Sequence, residues 1–144
     1  WITVLRKREN YRRVFHDFNV EVVSRFTEDD FARLMNEDGI IRNRAKITSA
    51  QSNAYCFMQV QSEFGSFSDY LWNFFKGEPL VNCWQDIGQV PSKTKTSLLI
   101  SQDMMARGFK FFGPTICYSY LQAMGFINDH LEYCFRWSEC QTSY

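Results

Sequence analysis

Nowhere in the 144 residues does an apolar run approach the roughly 20 residues that a membrane-spanning helix needs. A basic-then-apolar leader is also missing, so the expectation is a soluble protein of the cytoplasm. Excess charge of either sign is absent: sixteen Lys and Arg balance sixteen Asp and Glu. Net charge therefore gives no ground for a general polyanion-binding surface, and only local patches can carry that argument. Histidine is scarce, with two in the chain, and the five cysteines at 56, 83, 117, 134 and 140 are odd in number and irregularly spaced. Such spacing argues against a secreted disulfide framework, and the apolar neighbours of Cys56 and Cys117 suggest plain core packing. There is no internal repeat, low-complexity tract, phosphate-cradling glycine loop, Ser-His-Asp arrangement or pair of catalytic carboxylates.

What the chain does have is apolar and aromatic substance, 45% and 17% of residues, with fourteen Phe. That composition belongs to a globular chain, and the length suits one domain over residues 1–144 with a core that needs no staples. No segment alternates convincingly as a strand would. The expected class is all-α, a compact array of short helices.

Local punctuation places those helices. In WITVLRKRENYRRVF, residues Ile2, Leu5, Val14 and Phe15 suit a buried helix stripe. Arg6, Lys7, Arg8, Arg12 and Arg13 form the polar side, which reads equally well as a solvated face or a phosphate-facing one. Thr27-Glu28-Asp29-Asp30 matches a capping box ahead of Phe31, Leu34 and Met35, and this helix should stop at Gly39. A long helix is expected from Arg42, packed through Ala45, Ile47, Ala54, Phe57 and Met58. Ser66 or Ser68 can cap the next segment, which carries Tyr70, Leu71, Trp72, Phe74 and Phe75 and ends near Gly77. GEPLVNCWQDIGQVP has no period and reads as an irregular connection. Thr94 to Arg107 reads as a helix closed by Gly108, and Pro114 sits where the first turn of another would begin.

Two short stretches invite a chemical reading. Asp38-Gly39-Ile40-Ile41-Arg42 joins two helices, and such a turn exposes backbone N–H groups that can take a DNA phosphate. The same pattern is also a common structural turn. In NDHLEYC, residues 128–134, His130 and Cys134 stand four apart, which on a helix would aim both at a common centre.

RGFKFFGPTICYSYLQAMGFINDHLEYC at 107–134, with WITVLRKRENYRRVF at the start and GIIRNRAKI in between, resembles the 3-methyladenine DNA glycosylase I family of the helix-hairpin-helix superfamily. Three motifs in the right order carry the resemblance from Trp1 to about Cys134. The family resemblance implies a structural zinc held by a Cys₂His₂ set, with His130 and Cys134 matching two ligands and two more lying upstream of Trp1. Roughly the first 45 residues of the family pattern have no counterpart here, among them a pocket glutamate, so the catalytic carboxylate is unknown in this chain. By resemblance, Trp1 stacks on the extruded base and Ser119 lies beside the base pocket. On the residues alone, Trp1 suits a buried helix-start aromatic and Ser119 interior packing. Gly39, Ile40, Ile41 and Arg42 would hold the DNA backbone.

The implied reaction is hydrolysis of the N-glycosidic bond of 3-methyladenine in alkylated double-stranded DNA, with release of the free base and an abasic site left behind. Methylation at N3 makes the base a cationic leaving group that needs no proton. Extruding it costs about a few kcal/mol, and an aromatic pocket favours the cation over neutral adenine. No Schiff-base lysine is required, which leaves Lys110 as a surface or phosphate residue. The implied protein is a monofunctional, monomeric enzyme of the bacterial cytoplasm, without membrane partners, and residues 1–144 by themselves should excise bases poorly. Two other classes remain open: a non-catalytic helix-hairpin-helix DNA-binding module, and a helical interaction domain.

Overall fold

The computed structural model describes residues 1–141. Among them the chain is mainly helical and forms two compact units. The first comprises Trp1–Glu63 and Arg107–Phe111, the second Phe64–Ala106 and the residues from Phe112 onward.

In the first unit, α1 (Ile2–Leu5) and α2 (Arg8–Val14) are separate helices. The expected single stripe is corrected accordingly: Val14 and Phe15 are buried, but Ile2 and Leu5 are exposed. A break at Arg6 and Lys7 turns the first four positions away from the face that α2 presents to the core. Three successive non-glycine residues, His16, Asp17 and Phe18, then take left-handed backbone angles with φ of 52°, 53° and 57°. This turn brings Phe18 onto Phe15, ring centres 5.6 Å apart. Asn19 caps α3 (Val20–Ser24) by accepting the N–H groups of Glu21 and Val22.

The capping box at Thr27 is present. Thr27 N–H donates to the Asp30 carboxylate at 2.9 Å and starts α4 (Glu28–Met35). That helix ends before Gly39, because Asn36 turns its side chain back onto the Ala32 carbonyl at 3.0 Å. The long helix α5 (Arg44–Phe64) begins two residues later than expected, with the Asn43 side chain accepting the Lys46 N–H at its start. Ile47 and Ala54 of α5 are buried as expected, Phe57 and Met58 are partly buried, and Ala45 is exposed. Ile47 and Ala54 join Val14, Phe15, Val23, Phe26, Phe31, Leu34 and Ile40 in one core. Full burial of a side chain such as Leu34 contributes about 1.5–3 kcal/mol. Gly108 turns with φ of +100°, and a Cβ there would stand 3.2 Å from Cys56 Sγ.

The second unit opens with Ser66 capping α6 (Phe67–Trp72), its hydroxyl accepting the Asp69 N–H at 2.9 Å. Helix α7 (Lys95–Ala106) packs against α8 (Pro114–Ala123), which starts at Pro114 as expected. Thr94 and Ser97 cap one another at the start of α7, and Ser101 donates to the Phe112 carbonyl at 2.7 Å. Tyr70, Leu71, Ile100, Met104, Cys117, Tyr118 and Leu121 form the buried interior. Burial pushes the Cys117 thiol up to about 11, and Cys56 is raised for the same reason, so both behave as core residues.

The connection GEPLVNCWQDIGQVP is less irregular than it reads. Its Leu80–Val81 forms β1, paired in parallel with β2 (Ile127–Asn128), and Trp84 bridges to Leu131 beyond the ladder. Two-residue strands have no period for a sequence to display. A last short helix, α9, spans Phe135–Glu139. Among the described residues, no helix is long and apolar enough to cross a membrane.

Candidate functional site

Of the predicted residues, Trp1 and the turn from Gly39 to Arg42 belong to the first unit, and Ser119, His130 and Cys134 to the second. In the second unit, the strand β2 and the residues just after it bring Ile127, Asp129 and His130 to the lining of a cleft of about 870 Å³. Ser119, Gln122 and Ala123 of α8 supply one wall; Arg136 and Cys140 also line it. Ser119 and His130 are thus brought to the same cavity. Ser119 is exposed there, not packed inside the helix bundle. Among the described residues, no Trp, Tyr or Phe lines this cleft.

His130 and Cys134 converge, but not by the route expected. They do not share a helix: the chain leaves β2 at Asn128 and turns before α9 begins at Phe135. Backbone groups that a helix would need are spent on the neighbouring segment, where Glu132 N–H donates to the Trp84 carbonyl at 3.0 Å. Across the turn, His130 Nδ1 and Cys134 Sγ are 3.9 Å apart. Two donors at about 2.0 and 2.3 Å from a tetrahedral zinc would be separated by about 3.5 Å, so a small closing of this pair would make it one edge of such a site. Among the described residues no cluster of three or more His, Cys, Asp or Glu forms a metal site.

The residue that sequence reading passed over is Asp129. Its Oδ2 accepts from the Tyr118 hydroxyl and from Gln122 Nε2 at 2.7 Å, and its Oδ1 from Asn82 Nδ2 and Trp84 Nε1, both at 2.7 Å. Burial would raise this carboxyl, but the four donors outweigh it and hold it below the usual carboxylate range. Tyr118 is pushed well above an ordinary phenol, by burial first and by its bond to Asp129 second. An Asp that follows the apolar pair Phe126-Ile127 after one Asn and directly precedes His130 is a buried-polar signal, but its partners lie up to 47 positions away and have no local signature.

In the first unit, the hairpin turn is held closed by its own chain. Gly39 N–H donates to Glu37 Oε1 at 3.0 Å, Ile41 N–H to the Tyr11 hydroxyl at 3.0 Å, and Ile40 N–H to the Glu37 carbonyl at 3.5 Å. The turn's N–H groups are therefore not open donors in this structure: a carboxylate, a backbone carbonyl and a hydroxyl of the same unit accept from Gly39, Ile40 and Ile41 in turn. Ile40 is buried in the core and Ile41 is exposed. Space is tight at Gly39: a Cβ on it would meet Asn10 Cγ at 2.7 Å, so that side chain would have to shift. Basic side chains surround the turn in exposed ion pairs, Arg13 with Glu37, Arg42 with Asp38 and Arg44 with Glu28. Exposed pairs of this kind are worth about 0–1 kcal/mol and exchange readily for another anion.

Trp1 caps α1 and is 95% exposed, against the reading of a buried helix-start aromatic. Lys110 is also at the surface, its backbone N–H and carbonyl both bonded to the Asn53 side chain. Basic and apolar side chains about the hairpin, a clasped loop carrying a His/Cys pair, and a half-open cleft beside Ser119 are the parts on offer.

Comparison with known proteins gives these parts a setting. A family model described as methyladenine glycosylase matches residues 1–137. DNA-3-methyladenine glycosylase of Haemophilus influenzae is 40% identical over 143 residues, 99% of this chain and 75% of that protein. DNA-3-methyladenine glycosylase 1 of Escherichia coli is 42% identical over 134 residues, 93% of this chain and 72% of the relative. Among solved structures, 3-methyladenine DNA glycosylase I from Staphylococcus aureus, studied for its recognition of 3-methyladenine, superposes with a TM-score of 0.89 at 32% identity, covering 94% of this chain and 72% of that one. This chain belongs to the methyladenine glycosylase family.

Proposed function

We propose that this protein excises 3-methyladenine from DNA by hydrolysing the N-glycosidic bond, releasing the free base and leaving an abasic site. It is a DNA-3-methyladenine glycosylase, a hydrolase of DNA repair. The observation that carries this reading is the family match, which runs through both compact units at about 40% identity to glycosylases of that activity. The match across residues 1–137 also supports treating the two units as one functional domain.

The chemistry asks little of a general acid. A base methylated at N3 already carries positive charge, so the glycosidic bond breaks without prior protonation, and water completes the hydrolysis. Selection is the harder task, since extruding a base from the duplex costs about a few kcal/mol and is cheapest for a damaged one. Trp1 supplies a stacking face in this reading, supported by the family resemblance of the stretch it opens. Ser119 offers a hydroxyl to the base edge, supported by its place on the cleft wall. Asp129 is not the catalytic carboxylate, because its lone pairs are spent on four donors.

The DNA backbone is held at Gly39, Ile40, Ile41 and Arg42. A phosphate would displace the Glu37 carboxylate from the Gly39 N–H and take over Arg13 and Arg42, both of which are only loosely paired. His130 and Cys134 hold a structural zinc together with two donors outside the described cluster, which the resemblance puts upstream of Trp1. When bound, zinc supplies a closed cross-link and not a Lewis acid. The protein acts as a monomer in the bacterial cytoplasm in this reading, in keeping with its bacterial relatives.

The test is incubation of the complete gene product with methylated duplex DNA, followed by chromatography of the released bases. Free 3-methyladenine is the expected product. Tight duplex binding without any released base would instead favour a non-catalytic DNA-binding module.

A further inference from the structure

A carboxylate has about four lone-pair sites, and Asp129 has filled them symmetrically. Tyr118 and Gln122, one helical turn apart on α8, take Oδ2; Asn82 and Trp84, two apart on the β1 side, take Oδ1. Residues at i and i+4 of a helix share a face, and residues at i and i+2 of an extended segment share a side. Each pair therefore acts as a two-pronged clasp. The α8 pair brackets Ser119 in sequence, and the residue that follows Asp129 is His130.

Backbone bonds alone hold this loop on one edge. Asn82 N–H donates to the Asn128 carbonyl and Glu132 N–H to the Trp84 carbonyl, both at 3.0 Å, which ties the loop to the 80–84 segment. Those bonds do not reach α8, where the cleft wall stands. The Asp129 carboxylate adds that second attachment. On the far side, Asn128 Oδ1 accepts the His130 N–H at 3.2 Å and Asn128 Nδ2 donates to the Trp137 carbonyl at 2.9 Å.

We propose that Asp129 is a positioning residue, clamping the His130 loop to α8 and to the 82–84 segment so that the metal-ligating pair and the Ser119 wall of the cleft keep one shared geometry. The inference rests on the zinc and base-pocket assignments proposed above. It assigns Asp129 no contact with base or metal. An Asp129→Asn change keeps the shape but removes the charge. Whichever way the amide turns, its NH₂ faces two donors and at least one clasp opens.

The experiment uses the complete gene product and three variants, Asp129→Asn, Tyr118→Phe and Asp103→Asn. Asp103 accepts from the Tyr70 hydroxyl at 2.8 Å elsewhere in the same unit, so its variant reports ordinary loss of stability. Zinc affinity is read by competition with a chelator and pocket integrity by the Kd for free 3-methyladenine, both at a temperature where circular dichroism shows every variant folded. Asp129→Asn should lower zinc affinity by about 10–100-fold and weaken 3-methyladenine binding. Tyr118→Phe should move both in the same direction by less, and Asp103→Asn should move neither. If Asp129→Asn matches Asp103→Asn in both readouts, the positioning role is overturned. A wild-type protein that binds 3-methyladenine but holds no zinc would overturn the zinc assignment instead; weakened base binding in Asp129→Asn would then still support the clamp on the cleft wall.

Discussion

His130 Nδ1 and Cys134 Sγ stand 3.9 Å apart across a turn docked on the β1 side of the second unit, not one above the other on a helix. The pair is held by tertiary contacts, so its convergence does not depend on helix propensity at all. A His130→Ala variant should keep its fold and lose about one zinc per chain. Metal analysis of the complete gene product checks this; equal zinc in variant and wild type would remove His130 from the ligand set.

Trp1, 95% exposed among the described residues, is proposed to stack on the extruded base. Truncating so exposed a side chain to Ala should change stability by no more than about 0.5 kcal/mol. Loss of a stacking face should nevertheless cost about 1–3 kcal/mol in binding a base. Thermal melts and titration with free 3-methyladenine, run on the same samples, measure the two effects independently. A Trp1→Ala protein with unchanged base affinity would retire the stacking role.

At Gly39 the constraint is space: an added Cβ would meet Asn10 Cγ at 2.7 Å and Glu37 Oε1 at 2.9 Å. Gly39→Ala must push both side chains aside, at a cost of about 1–3 kcal/mol if they repack incompletely. Because the turn is proposed to hold phosphate and not to read bases, binding of methylated and undamaged duplexes should weaken together. Fluorescence anisotropy on matched duplexes tests this. A loss confined to the methylated duplex would assign the turn to the base pocket.

Glu37 makes the hairpin sensitive to acid. Arg13 first, and the Gly39 N–H second, hold its carboxyl below the ordinary glutamate value. A carboxylate with a depressed pKa binds its proton more weakly in the folded chain than in the unfolded one. Its stabilising contribution is therefore complete above the ordinary value and disappears as pH falls through the lower, folded one. The difference in Tm between wild type and Glu37→Gln should be largest near neutral pH and close in acid. A gap that stays constant through the acidic range would show that Glu37 acts through shape and not charge.

Much of the helical frame was legible because local chemistry marks it. Thr27 with Asp30, Ser66 with Asp69, Thr94 with Ser97, and Pro114 at the first turn each cap or start a helix within four residues of sequence. The α1/α2 break was not legible, since neither Gly nor Pro stands at Arg6 and Lys7 and the apolar spacing continues across it. Nor was the left-handed run at His16 to Phe18: His and Asp take such angles more readily than most side chains, but as single residues, and three in succession ending on Phe have no local signal. In the site, the family motif brought out His130, Cys134 and Ser119. Asp129 stayed hidden because its meaning comes from Asn82 and Trp84, which reach it through a ladder of two-residue strands. Pairing between distant short segments leaves no periodic trace, and a carboxylate shows itself as a hub only once its donors are in place.

The proposed reaction breaks the glycosidic bond of 3-methyladenine and leaves unmodified adenine in place. Its most direct test is a single-turnover reaction of the complete gene product in excess over a methylated duplex, with the released bases separated by chromatography and the DNA strand examined before and after alkali. Free 3-methyladenine is expected, with no release of unmodified adenine on the same time scale and a strand that breaks only after alkali, as an abasic site does. Release of adenine at a comparable rate, or no base release from a protein that binds the duplex, would contradict it.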